Sequence, residues 1–120
     1  MRQRKILIVE DELIIAMMIE QMLVRQGHQV VGKVTTGESA VEAAGEHNPD
    51  LILMDIRLEG EMDGIDAIKA IRRKQNIPVI FLTGNSDEGY RKRINETEYL
   101  AFLTKPVTHN DLTEWIARAS

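Results

Sequence analysis

Four short apolar runs constrain this chain most, because each one leads into a residue with reactive chemistry. The runs span residues 5–9, 51–54, 79–82 and 101–104, and the residues that follow them are Glu10 and Asp11, Asp55, Thr83, and Lys105. Runs of this length are typical of buried strands in a parallel sheet. Ligands of open parallel sheets bind at the carboxyl ends of the strands. The sequence therefore predicts that three carboxylates, one hydroxyl and one ammonium group converge on one edge of a sheet.

The segments between these runs carry helical patterns and one further strand. We predict a strand at residues 29–34 and helices at residues 12–26, 35–47, 63–74, 86–96 and from 108 onward. Thr35, Ser86 and Thr108 are the predicted N-caps, and Gly27 is placed to end the first helix. A strand followed by a helix, five times over, predicts a doubly wound α/β layer with right-handed crossovers.

Size and composition exclude several classes of protein. The 120 residues suit one domain, residues 1–120, with a single core. The net charge of −4 argues against a non-specific nucleic-acid binder, and the absence of cysteine excludes disulfides and thiolate metal sites. The N-terminus lacks the long apolar segment of a signal peptide, and no apolar run reaches the length of a membrane span. We therefore expect a cytoplasmic location without membrane or nucleic-acid binding.

The three acidic residues predict a cation. Two carboxylates about 4 Å apart repel by roughly 4 kcal/mol at an effective dielectric near 20, so Glu10, Asp11 and Asp55 need compensation. Mg²⁺ prefers a few carboxylates and retained waters, and Lys105 would add a fixed positive charge. This combination suits phosphoryl transfer, with Asp55 as the nucleophile because it ends a central buried strand. Thr83 offers a hydroxyl that could donate to a phosphoryl oxygen.

At this point the residues resemble the receiver domain of two-component response regulators. The resemblance covers essentially the whole chain and rests on five motifs in the family's order and spacing: IVEDE at residues 8–12, LMDIR at 53–57, MDG at 62–64, LTG at 82–84 and TKP at 104–106. It implies a flavodoxin-like, five-stranded parallel sheet in the order 2-1-3-4-5, with helices on both faces.

The resemblance also implies the reaction and its ligands. A sensor histidine kinase or a histidine phosphotransfer protein of a phosphorelay would phosphorylate Asp55. Mg²⁺ would be held by Asp11, Asp55 and the backbone carbonyl of Arg57, with Glu10 nearby. Lys105 would contact a phosphoryl oxygen. Such a domain is not a conventional enzyme, because it catalyses only its own phosphorylation and dephosphorylation.

A conformational switch is implied as well. Thr83 and Phe102 would be the paired switch residues: phosphate on Asp55 draws Thr83 inward, and the aromatic ring moves into the vacated space. A cis peptide bond between Lys105 and Pro106 is expected from the same resemblance.

Several positions depart from the family's commonest pattern. The first acidic position is Glu10 where many relatives have aspartate, and Val107 stands where phenylalanine is common. The loop over residues 57–62 is one residue longer than usual, with Glu59 where proline is frequent. These changes leave metal affinity, phosphate lifetime and partner fit open.

Two alternatives from other functional classes remain. An inactive, receiver-like module would bind partners without phosphorylation, although it would usually lack the acceptor, the acidic pair or the lysine. An aspartyl phosphatase or mutase would need a second aspartate two residues after the nucleophile, where this chain has Arg57. No phosphate-binding Gly-x-x-x-x-Gly-Lys loop is present, which disfavours a nucleoside triphosphatase.

The helices suggest two further hypotheses. The first helix has seven consecutive apolar residues, 13–19, more than one packed face can bury. Its predicted inner stripe is Ile15, Met18, Ile19 and Met22, and the residues expected outside are Leu13, Ile14 and Met17. Such a patch could dock the helical bundle of a kinase, or it could be buried under a neighbouring segment.

The helix predicted at residues 87–96 contains Gly89 and few apolar residues, which suggests a marginal element that is reordered on activation. The basic triplets 72–74 and 91–93 are expected to be solvated helix faces. The sequence leaves open the cognate kinase, the output, dimerisation through the last two helices, and whether the chain acts alone or within a larger protein.

Overall fold

Five parallel strands form one sheet in the computed structural model, which describes residues 3–84 and 88–119. The strands are β1 (Lys5–Val9), β2 (Gln29–Val34), β3 (Leu51–Asp55), β4 (Val79–Thr83) and β5 (Ala101–Thr104). Their order is β2-β1-β3-β4-β5, which confirms the predicted fold class. All five strands agree with the predicted ranges to within one residue, because each is a short apolar run bounded by polar residues.

Helices cover both faces of this sheet. They are α1 (Leu13–Arg25), α2 (Gly37–His47), α3 (Gly64–Ile71), α4 (Arg91–Ile94) and α5 (His109–Arg118), and a 3-10 turn at Glu88–Tyr90 precedes α4. Strand residues alternate between the faces: Leu7 and Val9 pack with α2 and α3, whereas Ile6 and Ile8 pack with α1 and α5. Within the described ranges, no helix is long and apolar enough to cross a bilayer.

The helix ends follow the predicted capping chemistry with one correction. Thr108 Oγ1 accepts the backbone N–H of Asp111 at 3.0 Å, as predicted. The cap of α2 is Thr36 rather than Thr35, since Thr36 Oγ1 accepts the N–H of Ser39 at 3.0 Å and Thr36 has the extended backbone of an N-cap. The predicted cap Ser86 lies outside the described residues.

Two helices are shorter than their sequence patterns. The helical hydrogen bonding of α3 ends at Ile71 instead of continuing to residue 74. The four-residue α4 occupies only part of the predicted 86–96 range, and Ile94 is its buried apolar residue at 3% exposure. Ile94 is thus the large apolar residue by which α4 itself is anchored, and the marginal stability of this segment stays a prediction.

The outward face of α1 is apolar, as predicted. Leu13, Ile14 and Met17 are 66%, 74% and 52% exposed. Met18, predicted to lie in the inner stripe, is 51% exposed, so this prediction was wrong. The residues of α1 that are buried against the sheet are Ala16, Ile19 and Leu23, and Met18 lies about 200° around the helix from Ala16.

The longer loop between β3 and α3, residues 56–63, is fastened to the start of α2. Thr36 and Glu59 form an isolated parallel bridge. A Cβ atom on Gly37 would lie 2.9 Å from the carbonyl oxygen of Met62, so only glycine allows this approach. The loop is thereby held beside the carboxyl end of β3.

Candidate functional site

One ammonium group bridges two buried carboxylates at the carboxyl edge of the sheet. Lys105 Nζ lies 2.8 Å from Glu10 Oε1 and 3.1 Å from Asp55 Oδ2. The side chains of Glu10 and Asp55 are 0% and 3% exposed, and that of Lys105 is 16% exposed. Removal of one partner from a buried ion pair leaves the other charge buried without a counter-charge. The burial of each of these three groups therefore depends on the presence of the others.

The strand register places these side chains together. Val9 and Met54 are paired in neighbouring β1 and β3, so the residues that follow them, Glu10 and Asp55, emerge side by side. The backbone N–H of Lys105 donates to Thr83 O at 2.8 Å, which keeps the end of β5 level with β4.

Backbone donors orient the two carboxylates. Arg57 N donates to Asp55 Oδ1 at 3.3 Å, and Glu12 N donates to Glu10 Oε2 at 3.1 Å. Each carboxylate thus uses one oxygen for a backbone N–H and turns the other toward Lys105. Fixed acceptors of this kind reduce the reorganisation needed when a ligand arrives.

Asp11 completes the predicted acidic cluster. Glu10, Asp11 and Asp55 each offer a carboxylate oxygen, and these oxygens all lie within 4.8 Å of one another. Glu10 and Asp55 are buried, whereas Asp11 is half-buried at the cleft. Carboxylate oxygens at this spacing, with a side accessible to water, fit a hard divalent cation such as Mg²⁺.

Burial changes the proton affinity of the central carboxyl. Desolvation, and then the charge of Glu10, raise the pKa of Asp55 from 3.8 to about 8, while Lys105 acts in the opposite direction. Burial lowers the pKa of Lys105, but the hydrogen bond to Glu10 and the charge of Asp55 outweigh that effect and raise it overall. The neighbouring carboxylates therefore favour the charged form of Lys105, whereas burial and the charge of Glu10 oppose ionisation of Asp55 until further positive charge arrives.

A cleft of about 370 Å³ lies over Asp55. Its lining includes Asp11, Arg57, Glu59, Gly84 and Lys105. The polar lining and the volume suit a small, charged group rather than an extended apolar ligand. Glu59, at the departure from the family pattern, faces this cleft, so the longer loop forms part of its wall.

The predicted switch residues lie on the two strands beyond Asp55. Thr83 is 8% exposed, and its Oγ1 donates a long hydrogen bond of 3.5 Å to Leu103 O. Phe102 is 37% exposed, and its ring meets that of Tyr99 edge-on at a centroid distance of 5.8 Å. The hydroxyl of Thr83 is thus directed toward β5, and the ring of Phe102 points outward. Tyr99 was not predicted from the sequence, because it lies in the loop before β5 and its ring contacts Phe81 on β4 and Phe102 on β5.

The basic triplets, residues 72–74 and 91–93, contain two arginines whose surroundings differ from the prediction. Arg72 was expected to be solvated, but it is half-buried and donates to Thr97 Oγ1 at 2.7 Å, to Glu98 O and to Ile77 O at 3.1 Å. Its hydrogen bonds tie the end of α3 to the segment that follows α4.

Arg93 was also expected to be solvated, and it is instead paired with α3. One of its terminal nitrogens binds Asp63, and the other lies 2.8 Å from Asp66 Oδ1. Lys69 on α3 pairs with Glu96 beyond α4. We call these links the α3–α4 clasp, and its members are Asp63, Asp66, Lys69, Arg72, Arg93 and Glu96 together with Thr97 and Glu98.

An apolar groove adjoins the acidic cleft on the α1 side. It has a volume of about 360 Å³ and is lined by Ile15, Met18, Met22, Pro106 and Val107, among others. The Lys105–Pro106 peptide bond is cis, as the resemblance implied. Val107 is 8% exposed and forms part of the groove's wall.

A sequence model of one protein family matches most of the chain. The family is described as "Response regulator receiver domain", and the match covers residues 6–117. The transcriptional regulatory protein PdtaR of Mycobacterium tuberculosis H37Rv is 38% identical over 109 residues, which are 91% of this chain and 53% of PdtaR. The chain therefore spans about half the length of that relative. The chemotaxis protein CheY of Thermotoga maritima is 30% identical and is covered over 98% of both chains.

Solved structures show the same similarity. The signal receiver domain of a modulated diguanylate cyclase from Desulfovibrio desulfuricans G20 superposes with a TM-score of 0.92 at 32% identity, covering 98% of this chain and 94% of that one. The receiver domain of the sensor histidine kinase PA1611 from Pseudomonas aeruginosa, solved with a magnesium ion in its active site cleft, superposes with a TM-score of 0.86 at 34% identity, covering 98% and 97%.

Proposed function

Because this chain belongs to the response regulator receiver domain family, we propose that it is a phosphoacceptor switch in which Asp55 receives a phosphoryl group from a histidine donor. The observation that carries this proposal is the position of Asp55, which is buried, faces the cleft and contacts Lys105 beside Glu10 and Asp11. All groups that the chemistry requires are present, so an inactive receiver-like module is the weaker alternative.

The acceptor reacts as a carboxylate nucleophile. One oxygen of Asp55 forms a bond to phosphorus while the bond between phosphorus and the donor's imidazole nitrogen breaks, and that nitrogen leaves as the neutral ring after taking up a proton. Lys105 already lies 3.1 Å from Asp55 Oδ2 and neutralises negative charge at this position. The N–H of Arg57 holds the other oxygen, Oδ1, and thereby fixes the direction of attack.

Asp11, Asp55, Glu10 and the backbone carbonyl of Arg57 would hold Mg²⁺. The bound ion supplies positive charge that favours the ionised form of Asp55 and neutralises the phosphoryl oxygens. The spacing of the three carboxylates fits such an ion, and the similar PA1611 receiver domain carries magnesium in its active site cleft. Since burial holds the pKa of Asp55 at about 8, added cationic charge is what would make this residue a nucleophile at neutral pH.

Thr83 and Phe102 would report the modification. The Thr83 hydroxyl, now directed to Leu103 O, would turn to a phosphoryl oxygen on Asp55. Phe102 would then move from its exposed position toward the vacated space. Two arrangements of one pair of side chains supply the two-state element that a population shift requires.

We further propose that the phosphodonor is a sensor histidine kinase or a histidine phosphotransfer protein in the cytoplasm. Its helical bundle would cover the exposed residues Leu13, Ile14 and Met17, which lie on the helix that begins at the acidic cleft. Changing Ile14 and Met17 to polar residues should slow transfer from the kinase and spare transfer from small phosphodonors. Equal loss with both donors would contradict this docking site.

We propose that the output is regulatory. PdtaR is named as a transcriptional regulator, and PhyR from Bartonella quintana, with 38% identity and a TM-score of 0.82, is named as an anti-anti-sigma factor. This chain covers 48% of the PhyR structure. We propose that its own output is a phosphorylation-dependent contact with another protein, or with a second copy through α4 and α5.

The proposal is tested by mass spectrometry of the intact chain. Incubation with acetyl phosphate and Mg²⁺ should add one phosphoryl group, and the product should be labile to hydroxylamine, as acyl phosphates are. Asp55→Asn should abolish the modification, whereas Asp50→Asn, which alters an acidic residue at the opposite end of β3, should not. Absence of modification in the unaltered chain would favour the phosphorylation-independent module.

A further inference from the structure

The α3–α4 clasp connects the acceptor loop to the switch region by a route that does not involve Thr83. We propose that Arg93 is a positioning residue: it holds α4 in the unphosphorylated arrangement by bridging Asp63 and Asp66 of α3, and its release favours the phosphorylated arrangement. This inference rests on the proposed function, because it concerns the equilibrium that phosphorylation of Asp55 would shift.

The route begins at the backbone of the acceptor. Gly64, the first residue of α3, donates its N–H to Ile56 O at 2.8 Å. A Cβ atom on Gly64 would lie only 2.2 Å from the carbonyl oxygen of Asp55. The start of α3 is therefore packed directly against the backbone of the acceptor residue, with no space between them for independent movement.

The next step is the cap of α3. Asp63 Oδ1 accepts the N–H of Asp66 at 2.9 Å, and the Asp66 side chain accepts the N–H of Asp63 at 3.3 Å, which forms a capping box. Arg93 binds the remaining oxygen of Asp63 and also contacts Asp66 Oδ1. The Asp63 side chain is only 14% exposed, so this pair is better shielded from solvent than a surface ion pair.

The last step reaches the aromatic switch. Ile94, directly after Arg93, is 3% exposed and lines a small pocket of about 160 Å³ with Asn95, Tyr99 and Phe102. Tyr99 packs edge-on against Phe102. Motion of α4 therefore changes the space available to the ring of Phe102.

The structure indicates whether loss of the clasp should favour or disfavour the phosphorylated arrangement. In this structure the clasp is closed, Thr83 Oγ1 is directed to Leu103 O, and Phe102 is exposed. Since α4 buries little apolar surface, polar links supply much of what holds it. Removal of the clasp should raise the population of the other arrangement, and a ligand that prefers that arrangement should then bind more tightly.

The test uses beryllium fluoride with Mg²⁺, which mimics a phosphoryl group on aspartate. Arg93→Gln should bind it about fivefold more tightly than the unaltered chain, and Arg93→Lys should lie between the two. Lys33→Gln is the matched control, because Lys33 pairs with Glu20 at 2.6 Å with 38% exposure and lies far from the switch. Its affinity should be unchanged.

A second readout separates positioning from mere stabilisation. The chain has two phenylalanines, so labelling with fluorophenylalanine gives one fluorine resonance for Phe81 and one for Phe102. In ligand-free Arg93→Gln, the Phe102 resonance should move toward its position in the ligand-bound, unaltered chain. The resonance of Phe81, which is fully buried, should stay in place.

The outcomes are distinguishable. Unchanged or weaker binding by Arg93→Gln, with the Phe102 resonance unmoved, overturns the role of Arg93 and leaves the proposed function intact. Absence of binding by the unaltered chain overturns the proposed function itself. Asp66→Asn, which removes charge from the exposed half of the pair and can keep the capping hydrogen bonds, should act in the same direction with a smaller effect; an opposite effect would also overturn the inference.

Discussion

Two clusters of opposite charges in this protein differ mainly in burial. At the sheet edge, Lys105 contacts Glu10 and Asp55, whose side chains are almost fully buried. In the α3–α4 clasp, Lys69 and Glu96 pair at 41% and 46% exposure. Buried charges interact strongly but lose their hydration, whereas exposed pairs are screened and contribute little. Burial thus couples the charges of the first cluster strongly, and exposure makes links such as Lys69–Glu96 easy to open.

The largest loss of stability should follow removal of the cation from the buried cluster. Lys105→Met leaves Glu10 and Asp55 buried without a counter-ion, and we expect a loss of about 3–5 kcal/mol in the free energy of unfolding. Urea denaturation in the presence of a chelator measures it. A loss below about 1 kcal/mol would place the buried cluster in the same energetic class as a surface pair.

Metal binding should offset the repulsion in the buried cluster only. Mg²⁺ at about a hundredfold excess over its dissociation constant should stabilise the chain by roughly 2.7 kcal/mol, less any binding to the unfolded state. Thermal unfolding with and without Mg²⁺ measures this effect, and Asp11→Asn should reduce it. A melting temperature independent of millimolar Mg²⁺ would contradict the proposed cation site.

Removal of the buried negative charge should stabilise the metal-free chain. The pKa of Asp55 is raised from 3.8 to about 8, so between these values the unfolded chain has lost a proton that the folded chain keeps. Stability therefore falls as pH rises across this window, and the cost is complete above about pH 8. We expect Asp55→Asn to raise the free energy of unfolding by at least about 2 kcal/mol at pH 8 and by close to nothing at pH 4. A gain independent of pH, measured by urea denaturation, would contradict this account.

The smallest effect should come from the exposed pair. Lys69→Gln is expected to lower the free energy of unfolding by about 0.5 kcal/mol, and this loss should disappear in high salt. Glu96→Gln should match it, and the double variant should cost no more than either single one. Urea denaturation at low and high salt measures these differences. A cost comparable to that of Lys105→Met would remove the distinction between the two clusters.

Local sequence patterns were sufficient for the sheet and for the convergence of site residues. The strands are short apolar runs, and strands of a parallel sheet end at a common edge, so Glu10, Asp11, Asp55 and Lys105 could be placed together before any coordinates. The catalytic and switch roles of these residues remain proposals that the phosphorylation experiments test.

Long-range partners could not be predicted in the same way. Arg72 and Arg93 look like parts of solvated basic triplets, and only the fold reveals that residues 25 to 30 positions away bind them. Met18 is half exposed because the buried stripe of α1 runs through Ala16, Ile19 and Leu23, and a run of seven apolar residues does not reveal which of them form that stripe. At the start of α2 two successive residues are threonine, and either side chain could cap the helix. The backbone conformation decides that the cap is Thr36.

The contacts that hold the loop over residues 56–63 against α2 determine where the sequence of this loop can change. The bridge between Thr36 and Glu59 and the close contact between Gly37 and Met62 tie that loop to α2, and the segment between these anchors turns through Gly60 in a left-handed conformation. Insertions at this tip can be absorbed locally, since neither anchor has to move. Sequence change in this loop can therefore reshape the wall of the cleft while Asp55 keeps its place.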